Sequence, residues 1–213
     1  MYQALRHAVV AFAVLAAAAC GGRREESATP PPPPPDSLPV VVLETAMGRI
    51  VLELDHARAP RTVDNILRHL AVNFYDGLIF HRVAAGFVVQ TGMATPDGMV
   101  RTSSAPPVVN EADNGLKNLR GTLGLARFND PQSGGVQFFI NLKDNPELDF
   151  RARAAGAWGY AVFGRVTEGM EVVDRIGRAR TGTAAGNRET PLEPIIVNRA
   201  YVVPRDSTRR PTP

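Results

Sequence analysis

The sequence predicts an all-β domain, a closed barrel or a sandwich, that carries two helices. Three observations lead there. Short apolar runs, alternating or continuous, recur between residues 40 and 203, each bounded by Gly, Pro, Asn or Asp. Only two stretches place apolar residues at helical spacing. Neither an internal repeat nor a second domain interrupts the series.

In chain order, Val40–Leu43 and Arg49–Leu54 flank Thr45-Ala46-Met47-Gly48 and read as a hairpin. Ile50, Leu52 and Leu54 fall on one face and Arg49, Val51 and Glu53 on the other, so one face is buried. Pro60 is tolerated in a first helical turn and opens a helix with Val63, Ile66, Leu67 and Leu70 at helical spacing. The stretch Phe80–Gly92 is the one the rest of the chain serves. Counting in twos puts Arg82 on one parity, and the turn-like Ala84-Ala85-Gly86 re-aims Phe87, Val88 and Gln90 on the next strand. A guanidinium, an amide and an aromatic ring then share a surface, a mixture that suits a shallow binding site better than a core. An edge strand with a snorkelling arginine accounts for the same residues equally well. Met93–Pro107 is a long loop of the kind that usually carries function, and Asn114-Gly115 marks a turn. Gly121–Ala126, Val136–Leu142 and Tyr160–Val166 are further strands. Glu168–Ile176 is a helix with Met170, Val173 and Ile176 on one face, and Pro194–Val203 is a last strand.

The segments flanking this domain have a different composition. Residues 1–20 carry Arg6 and His7 and then an apolar run, Ala8–Ala19, too short to span a bilayer as a helix; this is the layout of a secretory signal segment. Its end, Leu15-Ala-Ala-Ala-Ala-Cys20-Gly21-Gly22, resembles a bacterial lipobox, with Ala17 where leucine is usual. That resemblance implies acylation at Cys20 and a membrane anchor. Residues 21–39 cannot form a core, and the run Pro30–Pro35 makes a polyproline spacer of about 20 Å. The domain is expected at residues 40–204, with a disordered tail at 205–213.

Within 213 residues, a net charge of +3 is carried almost wholly by arginine, with Lys117 and Lys143 the only lysines. Basic and acidic residues are scattered, which argues against nucleic acid as a partner. Cys20 is the single cysteine, so the domain has no internal disulfide or thiol nucleophile. The histidines His7, His56, His69 and His81 stand far apart without companions at metal-ligand spacing, and no Gly-rich phosphate loop or nucleophile elbow is present. No metal or cofactor is expected.

Four ordered motifs remain: Phe80-His81-Arg82-Val83 to Gly86-Phe87-Val88-Val89-Gln90, Asn110-Glu111-Ala112-Asp113-Asn114-Gly115-Leu116, Gln137-Phe138-Phe139-Ile140-Asn141, and Gly159-Tyr160-Ala161-Val162-Phe163-Gly164. As a set they resemble the cyclophilin-type peptidyl-prolyl cis-trans isomerases, closest to bacterial envelope members, from about Val41 to Val203. The resemblance implies a closed eight-stranded antiparallel β-barrel capped by two helices, with the site on its outer surface. It makes Arg82 the catalytic residue and Phe87, Val88, Phe139, Leu148 and Tyr160 the walls of a proline pocket. It sets Gln90 against the substrate backbone, Ala126, Arg127 and Gln137 along the groove, and His81 at the pocket margin. Glu147 stands where many eukaryotic members have a cyclosporin-contacting tryptophan, and Arg127 where they have asparagine, which implies weak cyclosporin affinity. Trp158 is expected to pack near Tyr160. The implied partners are proline-containing exported polypeptides, met by a monomer in the bacterial cell envelope facing the periplasm or exterior. Two other readings use the same residues: a peptide-binding, chaperone-like module with little turnover, and a lipocalin-like barrel that holds an apolar ligand inside.

Overall fold

The computed structural model describes residues 38–203 apart from residues 155 and 185–186. The expected signal segment with Cys20, the proline spacer and the C-terminal tail therefore lie outside the described residues. β1 (Val40–Thr45) and β2 (Gly48–Leu54) form the expected hairpin. The Thr45 hydroxyl closes the turn, donating to the Gly48 carbonyl at 2.7 Å while accepting the Met47 N–H at 3.1 Å. α1 (Pro60–Ala71) follows, then β3 (Arg82–Ala84), β4 (Val88–Thr91), β5 (Thr122–Leu125), β6 (Phe138–Asn141) and β7 (Val162–Glu168). α2 (Met170–Gly177), β8 (Thr181–Ala184), β9 (Asn187–Pro191) and β10 (Val197–Val202) complete the series.

Eight strands make one antiparallel sheet in the order β10-β1-β2-β7-β5-β6-β4-β3, and β8-β9 make a separate ribbon. The closed barrel expected from the sequence is corrected here: the sheet is curled but open, with no ladder between β3 and β10. The gap is crossed by the segment 78–80, which lies outside any strand. Phe80 N–H donates to Ile195 O at 3.0 Å and Val197 N–H to Leu78 O at 2.8 Å, around the single bridge Ile79–Ile196. The N–H of Ile79 points the other way, to Ala94 O, so the segment 78–80 lies between residue 94 and residues 195–197 and meets the latter in one bridge without a ladder.

The concave face holds the main core, with Leu43, Ile50, Leu54, Val89, Leu123 and Ile140 beneath α1 and α2. Tyr75, Phe138 and Phe163 run through it edge to face at centroid separations of 5.6 and 6.2 Å. The space left inside is about 10 Å³, which removes the lipocalin-like reading because no ligand fits. α1 is capped from a distance. Its N-terminal Arg61 and Thr62 N–H groups donate to the Glu111 carboxylate at 3.1 and 2.8 Å, and the Thr62 hydroxyl donates to it at 2.7 Å.

Candidate active site

Strand alternation divides β3, β4 and β6 between two jobs. Val83, Val89 and Ile140 point into the main core, whereas Ala84, Val88 and Phe139 form a second buried cluster on the outer face. Phe87, Ala126, Leu148 and Tyr160 pack around that cluster and leave its top open. The tip of the Phe139 ring lies over its ladder partner Gly124, where any Cβ would overlap the ring. Tyr160 meets it edge to face at 5.6 Å, and the Arg127 guanidinium covers Tyr160 at 4.6 Å. The result is an apolar floor with a cationic lid at one wall.

A polar row runs along the edge of this floor. Arg82 and Gln90 are ladder partners, as the parity count predicts, and both are half-buried. Arg82 Nε donates to Glu189 Oε2 at 2.6 Å, its Nη1 donates to Gln90 Oε1 at 3.4 Å, and Gln90 Nε2 donates to Gln137 Oε1 at 2.9 Å. Glu189 comes from β9, part of the ribbon that the sequence reading did not find. Thr181-Gly-Thr-Ala and Asn187-Arg-Glu-Thr-Pro have no apolar alternation by which such strands are found.

A groove of about 670 Å³ runs over the floor, and every predicted site residue except His81 lines it. His81 lies behind the groove instead, 7% exposed, next to Gln137 and Arg82. Burial, then the Arg82 charge, lowers its pKa from 6.5 to about 4 against the opposing hydrogen bonds to Gln137 and Ile79, so the ring is neutral at neutral pH. The groove continues along the loop 93–107, as the length of that loop suggests. Arg101 ties the loop to the end of α1 by donating to Phe74 O and Asp76 O at 2.7 Å each, and Ser103 Oγ shares a 2.7 Å hydrogen bond with His69 Nε2.

Three asparagines to which the sequence assigns no role hold the pocket walls. Asn118, Asn141 and Asn145 are at most 1% exposed. Asn145 Nδ2 donates to Phe87 O at 3.1 Å and to Asn141 Oδ1 at 2.8 Å, and Asn118 Nδ2 donates to Leu148 O at 3.1 Å. They link two walls of the pocket across the sheet. Asn110 does similar work, donating to Pro131 O at 3.1 Å and so anchoring the loop between β5 and β6. Trp158 packs edge to face on Phe150 at 5.7 Å and does not line the groove; Glu147 sits exposed in a 3-10 turn at Pro146–Leu148. Among the described residues no three His, Cys, Asp or Glu side chains are grouped to hold a metal ion.

An open, curled antiparallel sheet with an apolar pocket on its outer face and a hydrogen-bonded guanidinium at the pocket edge defines a β protein whose site lies on the surface of the sheet. Residues 40–202 match the model of the family "Cyclophilin type peptidyl-prolyl cis-trans isomerase/CLD". The chain belongs to the cyclophilin-type peptidyl-prolyl cis-trans isomerases. It is 48% identical over 166 residues to peptidyl-prolyl cis-trans isomerase cyp18 of Streptomyces antibioticus, covering 78% of this chain and 99% of that one. It is 42% identical over 163 residues to peptidyl-prolyl cis-trans isomerase B of Escherichia coli (strain K12), covering 76% and 99%. The fold is similar to a Cryptosporidium parvum cyclophilin crystallised in the presence of the dipeptide Ala-Pro, with a TM-score of 0.63 at 23% identity, covering 78% of this chain and 99% of that one.

Proposed function

We propose that this chain catalyses cis-trans isomerisation of Xaa-Pro bonds in proline-containing polypeptides, with Arg82 as the catalytic residue. The observation that carries the reading is the pairing of an outward apolar floor, Phe139 with Val88 and Ala84, with a guanidinium held at its edge by Glu189 and Gln90. Family membership and the near relatives support the same activity.

The chemistry asks little of the protein. Rotation about the bond passes through a twisted amide over a barrier of about 20 kcal/mol, and no covalent bond breaks. On twisting, the proline nitrogen regains a lone pair and becomes an acceptor. A guanidinium N–H beside the ring donates to it then and barely at all to the planar amide, so the interaction favours the transition state. With Nε engaged by Glu189, the terminal nitrogens of Arg82 are the donors for the substrate. Phe139, Phe87, Leu148 and Tyr160 take the ring and exclude water, which favours the planar amide. A 10⁴-fold acceleration needs about 5.5 kcal/mol of differential binding. One charge-assisted hydrogen bond supplies about 1.5–3 kcal/mol of that, and positioning and desolvation supply the rest. His81, neutral and behind the groove, takes no part as an acid or base.

The same proposal extends to where the enzyme works: attached to a bacterial membrane through an acylated Cys20, facing the periplasm or exterior, and acting as a monomer on exported chains. The layout of residues 1–20 and the proline run after them support it. Labelling with a radioactive fatty acid in cells, lost in Cys20→Ser, tests the anchor. The activity is tested by isomerisation of a short Ala-Pro peptide with the whole chain and with Arg82→Ala. Fast exchange lost in a folded Arg82→Ala variant is the expected outcome. A folded chain that binds the peptide without accelerating exchange is instead the chaperone-like module.

A further inference from the structure

Arg82, Arg101 and Arg127 all line the groove, and no aspartate or glutamate does. Arg82 has its counter-charge in Glu189. The other two do not: among the described residues, no carboxylate lies within 4.0 Å of the Arg101 or Arg127 guanidinium. Their partners are uncharged. Arg127 donates from Nε to Gly159 O and from Nη1 to Phe128 O, both at 2.9 Å, and Arg101 donates to Phe74 O and Asp76 O. Backbone carbonyls fix both guanidinium planes without neutralising them. The nearest acid in sequence, Asp130, is exposed and accepts the Gln132 N–H at 2.9 Å.

We propose that this groove selects acidic polypeptide segments, with Arg127 reading an aspartate or glutamate next to the proline and Arg101 extending the preference along the loop 93–107. The inference rests on the isomerase reading for where the proline sits. Arg127 covers Tyr160, a wall of the proline pocket, at 4.6 Å. Successive Cα atoms are about 3.8 Å apart, so a side chain one residue from a bound proline reaches that guanidinium. A half-buried guanidinium already held in plane binds a carboxylate at little further entropic cost. A lysine at the same substrate position meets the uncompensated charge of Arg127.

The test is a matched peptide set carrying Glu, Gln or Lys directly before or directly after proline, with isomerisation rate and binding affinity both measured on the whole chain. At one of these positions the order Glu, Gln, Lys is expected, with about three- to tenfold between Glu and Gln. The Glu-to-Lys ratio should collapse at about 1 M salt, where screening acts within about 3 Å. In Arg127→Gln it should move toward one, whatever that substitution does to the rate on the Gln peptide. Equal affinities and rates for Glu and Lys peptides at low salt overturn the inference while leaving the isomerase intact. Glu-selective binding without accelerated exchange keeps the charge selection and overturns the isomerase reading.

Discussion

The contact between Glu189 and Arg82 makes a sharp prediction for Glu189→Gln. The pair spans 2.6 Å between side chains 31% and 41% exposed, so removing its charge should cost no more than about 1 kcal/mol of stability. The effect on turnover should be larger than that on folding. An arginine side chain has about 2 kcal/mol of rotamer entropy to lose when it is fixed. Glu189 now fixes it before substrate arrives; without the carboxylate, part of that cost falls on the transition state. A loss of about 0.5–1.5 kcal/mol corresponds to roughly two- to twelvefold in kcat, with KM nearly unchanged because planar substrate scarcely uses the guanidinium. Line-shape or exchange NMR on an Ala-Pro peptide reads both constants, and a thermal melt reads stability. The decisive arm is the double variant. If Glu189 acts through Arg82, adding Glu189→Gln to Arg82→Ala costs nothing further. An equal loss in both backgrounds would refute the positioning argument.

Gly124→Ala puts a methyl into the Phe139 ring; it should displace the floor and lower kcat/KM by at least about tenfold, with an overpacking cost of about 1–3 kcal/mol. Peptide turnover within about threefold of the parent would show that the Phe139 ring is not what holds proline. Asn145→Ala removes a buried donor to Asn141 and Phe87. A stability loss of about 1–3 kcal/mol by urea titration should come with weaker peptide binding, and unchanged binding would separate the asparagine trio from the pocket. His81 titrates at 6.5 when unfolded and at about 4 in the fold. Between those values the unfolded chain binds a proton that the folded chain does not, so stability is lost as pH falls through that window, by up to about 3 kcal/mol. Urea midpoints at pH 7 and pH 4.5 should converge in His81→Asn, and an unaltered acid slope in that variant would assign the loss to other groups.

Where the sequence was legible, a strong period made it so. The Pro60 helix runs over the same residues as expected, and strand alternation sets Arg82 and Gln90 on one surface, where the turn between β3 and β4 makes them ladder partners. The ribbon β8-β9 escaped because its residues are polar, yet it brings Glu189 to Arg82. The asparagines carry no local sign of their role: Asn141 falls in the expected strand Val136–Leu142, and Asn118 and Asn145 belong to none of the patterns read from the sequence. Their burial depends on carbonyls of Phe87 and Leu148, far away in sequence, that no local pattern reveals. Closure of the sheet is illegible for a related reason: whether residues 78–80 meet residues 195–197 in one bridge or in a full ladder is set by tertiary geometry. The family resemblance sets His81 at the pocket margin; next to the outward Arg82 it lies buried behind the groove.

The pocket is assembled from Ala84, Val88, Ala126, Phe139, Leu148 and Tyr160, which come from separate turns and strands spread over half the domain. No fragment of the nascent chain carries it. The apolar surface therefore exists only where β4, β6 and the loops before β7 have docked, and it belongs to the folded domain as a whole and to none of its segments alone.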